Sequence, residues 1–323
     1  MSRRGWIMFA AMSVIWGLPY LLIKIAVGGV AVPVLVFGRV GIGAALLLPL
    51  AMRRGQLAAI RPAWRWLAVF ALVEIIAPWF VLSEAERTIT SSLSGLLIAS
   101  VPIIVAVLSL LIGASERLSP VRWIGLLIGL GGVALLAGPD LIGAHATAGT
   151  ARAVGEVLFV ALCYATGPLI ANRKLAGVPP VGMTAACLAF AAVVYAPAAA
   201  LTWPSSVPAA KVLLSIAGLA LICTAAGFWI FFQLIAEVGP PRASVITYIN
   251  PAVAVTLGVL VLGERVTPVM LAAFGTILVG SVLATRPTRL PGREAAGQAQ
   301  GDQDRVPAAE PAAGVVPIPA GDD

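Results

Sequence analysis

Lys24, Arg39, Glu74 and Glu156 each interrupt a long run of apolar residues. Ionisable groups in such runs are costly to keep and are functional candidates by default. Lys24 comes about 18 residues after Trp6, about 27 Å along a helix. Its ammonium therefore sits near one interface, where it either snorkels to water or offers a positive charge at a mouth. Arg39 lies about 10 Å inside its run, too deep for easy snorkelling. Its guanidinium can hold a carboxylate or phosphate bidentately, pair with a protein carboxylate, or meet backbone carbonyls. Glu74, about 12 Å into its run, is the acidic residue nearest a run's middle. It fits a proton-coupling site or the counter-ion of Arg39. Glu156, closer to an end, reads as a solvated position at a mouth.

Aromatic and proline residues extend this set. Trp16 is too deep for the belt that tryptophans form at membrane interfaces. It either packs between helices or walls a cavity, and Tyr20 and Trp79 share that choice. Pro102 and Pro251 fall in the middle of apolar runs, where proline kinks a helix. The carbonyls it frees are tolerated at membrane depth where they line a cavity. Tyr248 and Asn250 flank Pro251 and could add donors there. Pro19 and Pro168 are expected to act similarly.

Other chemistries lack residues. His145 is the one histidine, and Cys163, Cys187 and Cys223 all lie in apolar runs, so buried small hydrophobes are expected there, not a disulfide or metal site. HExxH, GxSxG and acidic metal clusters are absent from the sequence. No enzyme activity and no cofactor are expected. Gly129, Gly131 and Ala134 fit a relaxed dinucleotide fingerprint but sit in an apolar run with no preceding strand. Gly125 and Gly129 instead fit the small-residue spacing of closely packed helices, within the chain or across a homodimer.

The elements that must position these residues follow from composition. The chain has 323 residues, 60% hydrophobic and 11% charged, with mean hydropathy +1.01. An average soluble domain is about 45–50% apolar and about 25% charged, so an ordinary soluble enzyme is excluded. A disordered chain, low in hydrophobicity and high in charge, is excluded too. The net charge of +7 is not read as nucleic-acid binding, because in a membrane protein the placement of Lys and Arg carries the information. Ten stretches approach the roughly 20 apolar residues of a membrane-crossing helix: near 6–27, 32–52, 66–83, 92–113, 121–138, 150–172, 181–201, 211–236, 242–262 and 267–285. The expected fold is an all-α integral membrane protein with ten transmembrane helices. With the N-terminus in the cytoplasm, fifteen Lys and Arg fall in cytoplasmic segments and four in outer ones, so both termini are expected to be cytoplasmic. Residues 286–323 hold six prolines and five glycines without an apolar face and are expected to be a disordered cytoplasmic tail.

An internal repeat organises the spans. Glu116-Arg-Leu-Ser-Pro120 matches Glu264-Arg-Val-Thr-Pro268 at an offset of 148. The same offset pairs Gly132 with Gly280, Pro49 with Pro197, Trp16-Gly17 with Tyr164-Ala165, and Lys24 with Asn172, while Pro102 and Pro251 align with one extra residue. The two halves, 1–138 and 150–285, hold five spans each. An odd number inverts the second half relative to the first, giving a 5+5 inverted repeat. Such repeats can exchange conformations to open one side and then the other, as secondary transporters do.

These residues resemble the EamA family of the drug/metabolite transporter superfamily. The resemblance is carried by Trp16-Gly17 and Lys24, Arg39, Pro102, Gly263-Glu264, and the glycine-rich fifth and tenth spans, over about residues 5–285. It implies a ten-helix plasma (inner) membrane carrier, often an exporter of amino acids or other small metabolites, with helices 1–4 and 6–9 around a central cavity. The second half departs from the first, with Asn172 and Cys187 where the first has Lys24 and Arg39. Lys24 and Arg39 point to an anionic or zwitterionic solute. A lipid or glycolipid flippase of the same superfamily is the alternative within transport, and a non-transporting membrane scaffold or receptor the alternative outside it.

Overall fold

Once water is excluded, an apolar run can satisfy its N–H and C=O groups only within itself, and helices result. The structure, a computed structural model, describes residues 2–111, 119–142 and 147–285. Its main elements are α1 (Arg3–Ala26), α2 (Val32–Arg53), α3 (Ala58–Thr88), α4 in two pieces (Ser91–Ile98 and Val101–Leu111), α5 (Pro120–Ile142), α6 (Ala148–Lys174), α7 (Pro180–Leu201), α8 (Ala210–Val238), α9 (Ile246–Leu262) and α10 (Pro268–Ala284). Among the described residues there is no strand. Among the described residues, eight helices are long and apolar enough to cross a membrane, and α9 and α10 are shorter apolar helices. The tail from 286 onward, His145, and Glu116 of the repeated turn lie outside the described residues.

Several helix starts are capped by threonine. Thr90, Thr147 and Thr267 each accept the backbone N–H three residues on, at Leu93, Thr150 and Met270, satisfying donors a helix start leaves free. Helix breaks were less readable in the sequence. Helix α4 divides at Ala99–Ser100, so Pro102 falls in the first turn of its second piece, where its missing N–H would have had no partner anyway. Pro251 does not break α9. The turn at Ser244–Val245 precedes that helix, and Pro251 lies inside a continuous segment. Likewise α6 runs through Pro168, whereas α1 breaks at Trp16–Gly17, ahead of Pro19.

The offset of 148 reappears in the backbone. Val32 and Arg53 bound α2, and Pro180 and Leu201 bound α7; Pro120 opens α5 and Pro268 opens α10. Two π-helical segments, Leu72–Ile76 in α3 and Leu219–Ala226 in α8, also fall at corresponding positions. A π segment leaves carbonyls off the regular ladder, often near functional sites. Both are answered by distant side chains. The Tyr195 hydroxyl donates to the Ile76 carbonyl at 2.6 Å, and the Trp16 indole N–H to the Cys223 carbonyl at 3.3 Å.

Packing follows the same pattern. Helix α2 lies against α7, α4 against α9, and α5 against α10; α3 and α4 pack on α6 as α8 and α9 pack on α1. One asymmetry stands out: α1 also packs on α3 and α4, and no contact of comparable extent joins α6 to α8 or α9 among the described residues. The α5–α10 seam is built from glycine. A side chain at Gly280 would run into the Gly129 backbone, and one at Gly125 would strike the backbone at Ala284, while one at Gly129 would meet Ile103 of α4. The glycine face of α5 is thus used within the chain, and dimerisation needs another surface.

Candidate functional site

Two groups of polar residues lie inside the bundle. The first surrounds Arg39 on α2, which is 7% exposed. Its Nε donates to the Thr224 hydroxyl at 3.0 Å, and its guanidinium carbon stands 3.5 Å from the centre of the Trp79 ring. Thr224 belongs to the π segment of α8, and Trp79 follows that of α3. Tyr164, Tyr20 and Cys223 complete the electrostatic surroundings of Arg39. No carboxylate pairs with it among the described residues. The guanidinium is therefore a buried cation held by an aromatic face and one hydroxyl, with its terminal nitrogens not hydrogen-bonded to any described residue.

Glu74 is not the partner of Arg39. It sits in the π segment of α3 and faces α6, where Gly167 leaves room for its carboxylate; one carboxylate oxygen is buried without a hydrogen bond. Its electrostatic neighbours include Cys163, Tyr164 and Cys187. Glu74 and Arg39 thus both act on Tyr164 without meeting.

The second group lies where α1 and α3 end and α4 begins. The Lys24 ammonium donates to the carbonyls of Glu86 (2.5 Å) and Ile89 (2.7 Å), closing the last turn of α3, where a cation also suits the helix dipole. Glu264 accepts from the N–H and hydroxyl of Ser91 (2.8 and 2.9 Å) and of Ser92 (2.9 and 2.5 Å). Its carboxylate thus caps the N-terminus of α4, a favourable place for negative charge. Gly263 makes the turn possible: its φ of 67° ends α9 in the left-handed region and sends Glu264 back toward α4. Burial pushes the Glu264 pKa up, but the hydrogen bonds from Ser92 and Ser91 outweigh it and hold the carboxyl below its ordinary value of 4.5. Between these pairs lies Glu86, 0% exposed, with neither carboxylate oxygen hydrogen-bonded.

The other expected site residues take structural positions. With its amide oriented so that donors meet acceptors, Asn250 donates to the carbonyls of Ile246 (2.9 Å) and Ser13 (3.1 Å), tying α9 to α1. Trp16 packs against Phe228 and Phe231 of α8 as well as bonding Cys223. Tyr20 is buried beside Gly95. Tyr248 is half-buried, and Glu156 is bound to Arg152 at 2.7 Å. The three cysteines are free and buried. A surface cup of about 290 Å³ lined by Val27, Gly28, Arg87 and Pro204 includes none of the buried polar residues.

Sequence reasoning missed Thr224, Glu86 and the serine pair. Thr224 and the serines look unremarkable in an apolar run, and only their distant partners, Arg39 and Glu264, mark them out. Glu86 falls three residues beyond the expected span 66–83, and only the longer helix α3, which runs to Thr88, brings it into the bundle.

A helical bundle of membrane-crossing length, with Arg39 and Glu86 buried inside, fits an integral membrane protein. The chain belongs to the EamA-like transporter family, whose pattern matches twice, over residues 3–138 and 153–286. It is 28% identical over 284 residues to the uncharacterized inner membrane transporter YedA of Escherichia coli K12, covering 85% of this chain and 88% of that one. A shorter likeness, 38% over 78 residues, joins it to the uncharacterized transporter sll0355 of Synechocystis sp. PCC 6803, covering 24% of this chain and 23% of that one. A solved crystal structure, 22% identical, shares the fold with TM-score 0.61 over 87% of this chain and 96% of its own.

Proposed function

We propose that the protein is a secondary transporter of the plasma (inner) membrane that exports small metabolites such as amino acids or related compounds by alternating access. The observation that carries this is Arg39: a guanidinium buried between α2, α3 and α8, stacked on Trp79 and without a carboxylate. A buried charge left unpaired is strongly destabilising, and a solute carboxylate or phosphate arriving in the bundle would supply the missing counter-charge. The solute is therefore anionic or zwitterionic. Thr224, bonded to Arg39, and the neighbouring Trp79 ring would then line the solute.

In this reading α9 and α10 span as well. Each has 17 residues, about 26 Å, at the short end of what a bilayer accepts. Ten spans in two halves of five make the second half inverted, and the positive-inside bias puts both termini in the cytoplasm. The matching π segments and the unequal packing of α1 and α6 support a bundle closed at one end. Lipid movement is the weaker reading, because Lys24, needed for a basic mouth, is held by backbone carbonyls.

The test is a metabolite comparison between cells expressing the intact chain and its Arg39→Ala variant, both verified in the membrane. The expected result is a carboxylate- or phosphate-bearing solute that accumulates outside only with the intact chain. Equal export by both proteins would remove Arg39 from the site.

A further inference from the structure

Glu86 has no part in the proposed solute site, yet it is among the most thoroughly sealed polar groups of the bundle. It is 0% exposed, and neither carboxylate oxygen meets a donor. The charged groups around it are engaged elsewhere. From α1, Lys24 gives hydrogen bonds to the backbone carbonyls of Glu86 and Ile89 and forms no ion pair within 4 Å with the Glu86 carboxylate. Tyr20, also from α1, lies within electrostatic range. From the turn after α9, Glu264 adds a second negative charge, already bound to Ser91 and Ser92 of α4. On α3 itself, Glu84 and Arg87 pair with each other at 3.8 Å, and on α6 Arg152 pairs with Glu156 near Glu84. A bare carboxylate sealed without a donor costs far more than the neutral acid; Glu264 adds to that cost and the Lys24 ammonium offsets part of it.

We propose that Glu86 is a proton-binding site whose occupancy is required for the bundle to close at the end held by Lys24 and Glu264. When this end closes, α1 packs on α3 and α4, Glu264 seats on the start of α4, and Glu86 enters the sealed space carrying a proton. When the Glu264 clamp releases, water reaches Glu86, the proton passes to it, and the carboxylate remains. Reclosure takes a proton back from the same side. The corresponding end of the second half has no such group: Leu234 stands at the repeat position of Glu86 and Asn172 at that of Lys24. The proton requirement therefore belongs to one end alone. The link to a transport cycle rests on the transporter reading; the proton itself does not.

The experiment is infrared spectroscopy of the purified full chain in liposomes, in H2O and D2O at neutral pH, with the proton as ligand and no solute added. The spectrum of the intact chain minus that of Glu86→Gln is expected to contain the carbonyl stretch of a protonated carboxylic acid, slow to shift in D2O. In Glu264→Ala the Glu86 band is expected to exchange faster and to convert to carboxylate bands as pH rises. If Glu86→Gln does not fold, Glu86→Asp serves instead, the acid band moving rather than vanishing. A difference spectrum showing only carboxylate bands would overturn the proposal, as would a Glu264→Ala variant whose acid band exchanges no faster. A chain that holds this proton but exports nothing in the metabolite comparison would sink the transporter reading and leave the proton site standing.

Discussion

The two ends at which repeat-related helices meet have the same backbone plan and different packing. At one, α1 closes on α3 and α4, Lys24 ties two helix termini, and Glu264 caps a third. At the other, α6 makes no packing of comparable extent with α8 and α9 among the described residues, and Asn172 is exposed without a side-chain hydrogen bond. Helix boundaries and π segments repeat at an offset of 148, and Glu264 repeats as Glu116, which lies outside the described residues, but Lys24, Arg39 and Glu86 have no charged counterpart. Repetition of apolar pattern is enough to repeat the fold, because helix lengths and seams depend on volume and hydropathy. Charged groups are few and individually placed, so they decide which end closes and what sits between.

Four perturbations break or sharpen that contrast. The largest effect is expected from Arg39→Ala, which lies between the ends. Removing a buried charge that pairs with an anionic solute costs about 3 kcal/mol, about a hundredfold in transport efficiency, measured as initial rate against solute concentration. Arg39→Lys keeps the charge without the planar fork and should recover only part of the loss.

Next comes a matched pair. Lys24→Met leaves the Glu86 and Ile89 carbonyls without a donor and should cost about 1–3 kcal/mol, while Asn172→Ala should stay within about 0.5 kcal/mol. Melting temperatures in detergent would show this, and equal shifts would mean the ends are equivalent after all. The third effect depends on pH. The folded-state pKa of Glu264 is depressed, so its stabilisation is complete above 4.5 and is lost as pH falls through the lowered value. The intact chain should therefore lose melting temperature on acidification below 4.5 faster than Glu264→Gln does. Parallel curves would show that the four serine contacts contribute nothing. The smallest effect concerns the π segments. Tyr195→Phe and Trp16→Phe each remove one hydrogen bond to a π-segment carbonyl, about 1 kcal/mol apiece. The shorter Tyr195 bond should be the costlier of the two, and thermal unfolding would rank them.

The repeat, the helical class and the presence of buried charges were all legible in the residues. The Thr90, Thr147 and Thr267 caps came from the structure, although capping chemistry is local. The proline breaks were less legible: Pro168 and Pro251 ride inside continuous helices, with Asn250 adding a donor beside Pro251. Of the two roles open to Glu74, pairing with Arg39 is not made, because its carboxylate faces Gly167 of α6, and which helix a side chain faces cannot be seen in a hydropathy pattern.

The sequence by itself determined that the chain lies in a membrane, how its apolar stretches are spaced, and that two related halves exist. Periodicity and composition are properties of segments, and the hydrophobic effect acts on segments. Only the tertiary structure decided that Arg39 faces Thr224 and Trp79, that Lys24 serves a helix end, and that Glu86 is sealed without a donor. Those pairings join residues up to 185 positions apart, and at such separations what a charge meets is set by how helices pack, not by its neighbours in the chain.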